Sequence, residues 1–365
     1  GVNFLKAGKT PSENKLFLIT LAAVIEAVDK HQDLLRIAVA TAGNDHRLGG
    51  NEAPPAIISI FLGEDLTDML EAISKGIHYD DMKRQKMKIG ADVIPEFKKD
   101  NADRNRTSPF AFTGNKFEFR MLGSASSISD TNVMLNTMVA DVFSNYALRL
   151  ENATDVASEV NAIVKECIEN HKRIIFNGDG YSKEWEIEAE KRGLLNLPST
   201  VDALPLLKTE ENVALFERHG VFNRAEIDSR VDIILENYAK IIHIEALTLI
   251  DMMGRDVIPA ITSYTSSMCE AANNKKIIGV DNSVEMELVA RLTAANKEIF
   301  SLTSILKSAV ASVERYTDTF EKACEYRNNI LKIMADIRKY ADSAESVMPK
   351  NYWPYPSYGD LLFKI

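Results

Sequence analysis

Between Asn44 and Pro55 the chain gathers Asp45, His46, Arg47 and Glu52 around a Gly49-Gly50 pair. The glycines leave the backbone free to take positive φ or to approach a ligand closely. Arg47 offers a planar fork suited to a carboxylate or a phosphate. Glu52 follows just before Ala53-Pro54-Pro55, and the stretch reads as a loop between apolar segments. A second dense stretch runs from Asn105 to Arg120. There Lys116-Phe117-Glu118-Phe119-Arg120 alternates strictly, which predicts a half-buried strand with the three charged residues on one face. That face reads either as part of a site or as an ordinary solvated surface. Residues 44–120 thus bring Arg47, Arg106, Arg120 and Lys116 together with Glu52 and Glu118. Clustered arginines suit a substrate bearing carboxylate and phosphate groups. A strand carboxylate between basic residues suits a hard divalent cation that also binds phosphate. The combination points to phosphoryl transfer onto, or from, a carboxylated metabolite.

The elements that must position these groups follow from periodicity. Apolar residues at helical spacing from Leu16 to Val28 predict a helix capped by Ser12. Leu34 to Ala40 reads as the end of that helix system or as a strand. Ile57–Leu62 and Leu66–Ile73 read as helical or mixed structure, and the charged stretch Asp80–Lys99 as a solvated connection or a basic patch. From Ser129 onward the pattern is helical: Val133–Leu150, Val156–His171, Lys183–Lys191, Glu210–Arg218, Ala225–Met253, Ser283–Tyr316 and Thr319–Met348. Asn177-Gly178-Asp179-Gly180 and Asn273-Asn274 read as turns. The final Asn351–Tyr358 carries four aromatic residues among prolines, which forbid a helix there and suggest docking of an extended tail, in cis or between subunits.

Composition narrows the function classes. A net charge of −10 disfavours nonspecific nucleic-acid binding. Cys167, Cys269 and Cys324 are far apart and match neither a disulfide framework nor a zinc spacing. No apolar run reaches the roughly 18 residues of a membrane helix. A cytoplasmic protein is expected. Gly8-Lys9-Thr10 lacks the earlier glycine of a phosphate-binding P-loop, since position 3 is Asn3. His243 and Glu245 lie two residues apart on a helix and face differently, so no metal pair is expected there.

Three motifs carry a family resemblance. Arg47-Leu48-Gly49-Gly50-Asn51-Glu52-Ala53-Pro54 resembles the glutamate-binding and flap motif of glutamine synthetases. Asn105-Arg106-Thr107 resembles the opening of their phosphate-contacting motif, and Phe117-Glu118-Phe119-Arg120 their Ile-Glu-Phe-Arg strand. They occur in family order, and their wording is similar to the type III branch. The resemblance covers the first third of the chain. It implies an α+β fold: residues 1–150 as the C-terminal part of the catalytic domain, antiparallel strands with helices, and residues 151–365 as a mainly α-helical extension with long antiparallel helices and an aromatic tail. It also implies ATP-dependent ligation of ammonia to L-glutamate through γ-glutamyl phosphate, with ATP and Mg2+ or Mn2+ as cofactors and a ring-shaped homo-oligomer, a dodecamer for the full-length enzyme.

The resemblance implies roles for the matched positions. Arg47, Gly49 and Arg120 bind substrate. Glu52 lies on the flap and helps deprotonate ammonium. Arg106 contacts transferred phosphate, and Arg120 stabilises the phosphorylated intermediate. Arg106 and Lys116 contact the nucleotide, and Glu118 ligates the metal. Two departures bear on the nucleotide: Ala111 stands where other branches carry a second arginine, and Lys116 where they often have arginine, which turns a bidentate contact into a point charge. The family's Glu-x-Glu metal ligands and N-terminal β-grasp domain have no counterpart here. The chain is therefore expected to be the C-terminal part of a longer one, inactive alone. Two other readings compete: a guanidino-kinase-like phosphotransferase of the same catalytic fold, which the flap motif disfavours, and a helical assembly or regulatory module.

Overall fold

The computed structural model describes residues 1–49, 53, 55–79, 86–87, 97–98 and 107–363. The chain is mostly helical and divides into two compact units, Gly1–Val231, which holds a small three-stranded sheet, and Asp232–Ile365. Among the described residues no helix is long and apolar enough to cross a membrane.

The first unit is built on α1 (Lys15–Lys30), in which Phe17 to Ile25, Ala27 and Val28 are all buried. A helix apolar on every side needs cover on every side. Its cap is Asn14 rather than Ser12, because Pro11 first opens a short 3-10 turn over Pro11–Glu13. The Asn14 Oδ1 accepts from Phe17 N at 3.1 Å. The ambiguous run after α1 is helical: α2 spans Gln32–Ile37 and α3 spans Ala42–Arg47. The first third of the expected 44–55 loop, residues 44–47, is therefore helix, because the Thr41 hydroxyl accepts from Asn44 N and caps α3.

β1 (Ile60–Phe61) leads through α4 (Glu64–Ser74) and the antiparallel pair β2 (Lys86–Met87) and β3 (Phe97–Lys98) to the hairpin of β4 (Phe110–Phe112) and β5 (Phe117–Phe119). The three-stranded sheet has the order β1-β4-β5. β4 and β5 are antiparallel as expected, but β1 pairs parallel to β4, with Ile60 opposite Phe110. This corrects the expectation of antiparallel strands throughout. The long connection between β1 and β4 permits the parallel pairing, which a tight turn does not.

α5 (Ser129–Glu151) and α6 (Val156–His171) pack on α1, followed by α7 (Lys183–Lys191), α8 (Thr200–Ala203) and α9 (Glu210–Arg218). The bounds of α6, α7 and α9 coincide with the periodic segments, since each begins just after a capping Asp155, Ser182 or Thr209.

α10 (Arg224–Met252) continues through a wide π-turn at Met253–Val257 into α11 (Ile258–Ile277). Pro259 lacks an amide hydrogen, and the π-turn just before it accommodates the break in the helical ladder. In the second unit α12 (Ser283–Val313) packs on α11 and on α14 (Leu331–Glu345), which follows α13 (Thr319–Glu325) and a second π-turn at Tyr326–Ile330. Asn273 and Asn274, expected in a turn, lie inside α11. The helix ends later, at Gly279, whose φ of 74° suits glycine. The C-terminal segment docks in cis: Tyr352 packs on Tyr264 with ring centroids 5.0 Å apart, and Tyr355 donates to Asp256 at 2.9 Å. A short α15 (Tyr358–Leu362) follows the last proline.

Cys167 is buried on α6 and donates to the Ala22 carbonyl at 3.3 Å, while Cys269 is exposed. Burial pushes the Cys167 thiol up to about 12. In the native protein near pH 8, Cys269 is expected to react readily with a thiol reagent and Cys167 only after unfolding. Mass mapping of the labelled peptides before and after denaturation checks this.

Candidate active site

The hairpin sets the charged face by alternation. Thr113 N donates to Lys116 O at 2.9 Å, and Gly114 takes a φ of 94° at the turn. The four phenylalanines share the inner face: Phe110 stacks on Phe117 at 4.9 Å, and Phe112 meets Phe117 edge-on at 5.3 Å. Lys116, Glu118 and Arg120 share the other face. Glu118 lies 3.2 Å from the Lys116 ammonium and 3.0 Å from Arg120 Nη2, and its Oε1 accepts from the Thr113 hydroxyl at 3.4 Å. The Arg120 hydrogen bond, followed by that of Lys116, holds the Glu118 carboxyl below the usual carboxylate range. Ala111 is Glu118's register partner, so its side chain shares that face. Among the described residues the cations paired with Glu118 are Lys116 and Arg120.

Arg47 comes to this hairpin from α3. Its Nη1 donates to the Met121 carbonyl at 3.2 Å, one residue beyond Arg120. The same nitrogen donates to Asn44 Oδ1 at 2.5 Å. Asn44 is buried, and its Nδ2 donates to Val39 O at 2.9 Å and Met121 O at 3.0 Å. Gly49, with a φ of 86°, turns the chain beyond α3, and Ala53 N returns to the Arg47 carbonyl at 3.2 Å. The structure thus brings Arg47 to the end of the strand that carries Glu118 and Arg120. Glu52 and Arg106 lie outside the described residues, as do most of the charged residues between 80 and 106.

A second anchor holds the far side of α3. Arg36 is fully buried; its Nη2 reaches Asp45 Oδ1 at 2.6 Å and its Nε reaches Leu197 O at 2.7 Å. Asp45 Oδ2 accepts from Thr200 N at 2.6 Å. The motif reading gave no role to Asn44, and Arg36, Leu197 and Thr200 stood outside it altogether. The one local signal was the three-residue spacing of Asn44 and Arg47, which places both on one helix face.

Were Glu118 to hold a metal ion it would supply one carboxylate, and among the described residues no group of three or more His, Cys, Asp or Glu side chains could hold an ion. A single carboxylate fits a Mg2+-like ion that takes its other oxygens from water and phosphate.

Comparison with known proteins finds similar sequences. Residues 159–276 match the family model of the glutamine synthetase C-terminal domain. The whole chain is 41% identical over 372 residues to a glutamine synthetase of Butyrivibrio fibrisolvens, covering 52% of that protein. It is 35% identical over 377 residues to a glutamine synthetase of Bacteroides fragilis (strain YCH46), covering 52% of it. The chain is thus a relative of the glutamine synthetases over its entire length. The type III wording of its motifs has a counterpart as well: a type-3 glutamine synthetase of Dictyostelium discoideum is 37% identical over 379 residues, all of this chain and 51% of that protein. The chain spans about half the length of these curated relatives.

Removing Arg36 tests the second anchor. Arg36→Ala leaves the Asp45 carboxylate buried without its cation and is expected to cost about 3–5 kcal/mol. Burial is the largest influence on Asp45 and holds its carboxyl above the usual range, against the pull of Arg36. A carboxylate raised in the folded state costs stability in full above its folded pKa and recovers it as pH falls. The deficit is therefore expected to be largest at neutral pH and to shrink on acidification, as urea melts across that range will show.

Proposed function

We propose that the protein acts as a glutamine synthetase, ligating ammonia to L-glutamate at the expense of ATP through γ-glutamyl phosphate. The observation that carries this reading is the bond of Arg47 to the Met121 carbonyl, one residue beyond the Arg120 that pairs with Glu118, in a chain similar throughout to glutamine synthetases. Arg47 binds the glutamate carboxylate, with Gly49 giving the backbone room to approach it. Arg120 stabilises substrate and the acyl phosphate. Lys116 and Arg106 face nucleotide phosphate, and Glu52 closes over the site and takes a proton from ammonium. Glu118 holds Mg2+ or Mn2+, which when bound supplies positive charge to the ATP phosphates. Transfer of the γ-phosphoryl group converts the glutamate side-chain carboxylate into an acyl phosphate. Ammonia then attacks the carbonyl and inorganic phosphate leaves. Keeping water from the acyl phosphate protects it from hydrolysis.

The proposed architecture is α+β: part of the catalytic domain to residue 150, then a helical extension. The family match beginning at residue 159 supports a division near there, although 150/151 falls inside the first compact unit. Antiparallel packing of α11 and α12 is supported by the Lys275–Glu285 ion pair at 2.7 Å and by the hydrogen bond of Asn296 to Thr262 at 3.1 Å, whose numbers run in opposite directions. The proposed assembly is a ring-shaped homo-oligomer in the cytoplasm. The names of the relatives favour the ligase reading over a guanidino-kinase-like one.

In the whole protein, Arg47→Ala is expected to raise the KM for glutamate by about tenfold or more while leaving that for ATP within about twofold. Steady-state kinetics of ATP-dependent glutamine formation measure both. A wild-type protein that forms no glutamine from glutamate, ammonium and ATP sinks the reading.

A further inference from the structure

Arg47 ends a helix of only six residues, and its long side chain has many rotamers to choose from. We propose that Asn44 is the positioning residue that sets the Arg47 guanidinium; what this does to substrate rests on the glutamate reading of Arg47. Every polar atom of the Asn44 amide is used. Oδ1 accepts from Arg47 Nη1, and the two Nδ2 hydrogens go to Val39 O and Met121 O. Because Nδ2 faces two carbonyls, which only accept, the amide cannot be flipped, and Oδ1 must face the guanidinium. The Met121 carbonyl receives both Asn44 Nδ2 and Arg47 Nη1, so the two side chains are referenced to one backbone atom at the end of β5. Asn44 is 4% exposed, so water is a poor substitute for these partners.

The chemistry requires an amide here. An alanine leaves the Val39 and Met121 carbonyls short of a donor and removes the side-chain oxygen that Arg47 Nη1 bonds. An aspartate of the same shape keeps an oxygen for Arg47 and adds a charge. It also turns its second oxygen against two carbonyl oxygens, so it cannot hold the same position. A simple counter-ion role predicts that aspartate is as good as asparagine or better, whereas the positioning role predicts that it fails.

The test uses the whole protein with Asn44→Ala, Asn44→Asp, Arg47→Ala and the Asn44→Ala/Arg47→Ala double variant. Asn44→Ala and Asn44→Asp are each expected to raise the KM for glutamate about tenfold, with kcat and the KM for ATP within about twofold. The double variant is expected to match Arg47→Ala, because Asn44 acts through Arg47. Crystal structures of Asn44→Ala and Asn44→Asp are expected to show the guanidinium displaced from the Met121 carbonyl. A guanidinium that keeps its place in both variants overturns the proposal. So does an Asn44→Asp enzyme with wild-type kinetics, or additivity in the double variant. If Arg47→Ala leaves the glutamate KM unchanged, the glutamate reading of Arg47 fails instead, and the crystal structures still decide whether Asn44 positions it.

Discussion

Burial of α1 on all sides is the constraint from which the rest of the first unit follows. Phe17, Leu18, Ile19 and Val24 point in different directions around the helix, and all are buried. Each such side chain stabilises the fold by about 1.5–3 kcal/mol only if something covers it. α5 and α6 supply part of that cover, and the hairpin supplies another part where Phe112 approaches Phe17 with ring centroids 6.1 Å apart. The same burial obliges the helix's carboxylates to find partners, since an unpaired buried charge is costly. Glu26 accepts from the Tyr146 hydroxyl at 2.6 Å, and Asp29 is held by His171 and Arg173, each at 2.8 Å. α2 and α3 follow α1 directly in the chain, so where α1 is packed decides where Arg47 can reach.

α3 is too short to be stable as an isolated helix. It persists because adjacent residues tie it down on two sides: Asn44 to Val39 and the hairpin, Asp45 to Arg36 and the backbone of Thr200. The site is thereby built from short elements held by long-range polar bonds. The second unit is built differently. Its long helices hold one another through apolar residues such as Leu292, Ile299, Leu306 and Val310, and its two π-turns interrupt helices whose packing continues past them. None of the candidate site residues lies in it.

Much of the candidate site was legible beforehand because the signals were local. Strict alternation over Lys116–Arg120 placed three charges on one strand face, and the structure pairs Glu118 with both of its neighbours there. Helical periodicity bounded by capping residues located α6, α7 and α9. The loop reading of residues 44–47 failed because a dense polar stretch next to glycines looks like a turn, and the cap at Thr41 that makes it helical lies just upstream. The parallel pairing of β1 with β4 was not legible either, since two strands joined by a long crossover carry no local mark of direction.

By itself the sequence marked the candidate residues for chemistry and the face of a strand or helix they occupy, because period and side-chain type are properties of neighbouring positions. Only the tertiary structure decided what holds those residues in place. Met121 lies 74 residues from Arg47, and Leu197 lies 161 residues from Arg36. A carbonyl becomes the partner of a guanidinium when burial of an apolar helix brings their segments together and excludes water. No pattern along the chain records which carbonyl that will be.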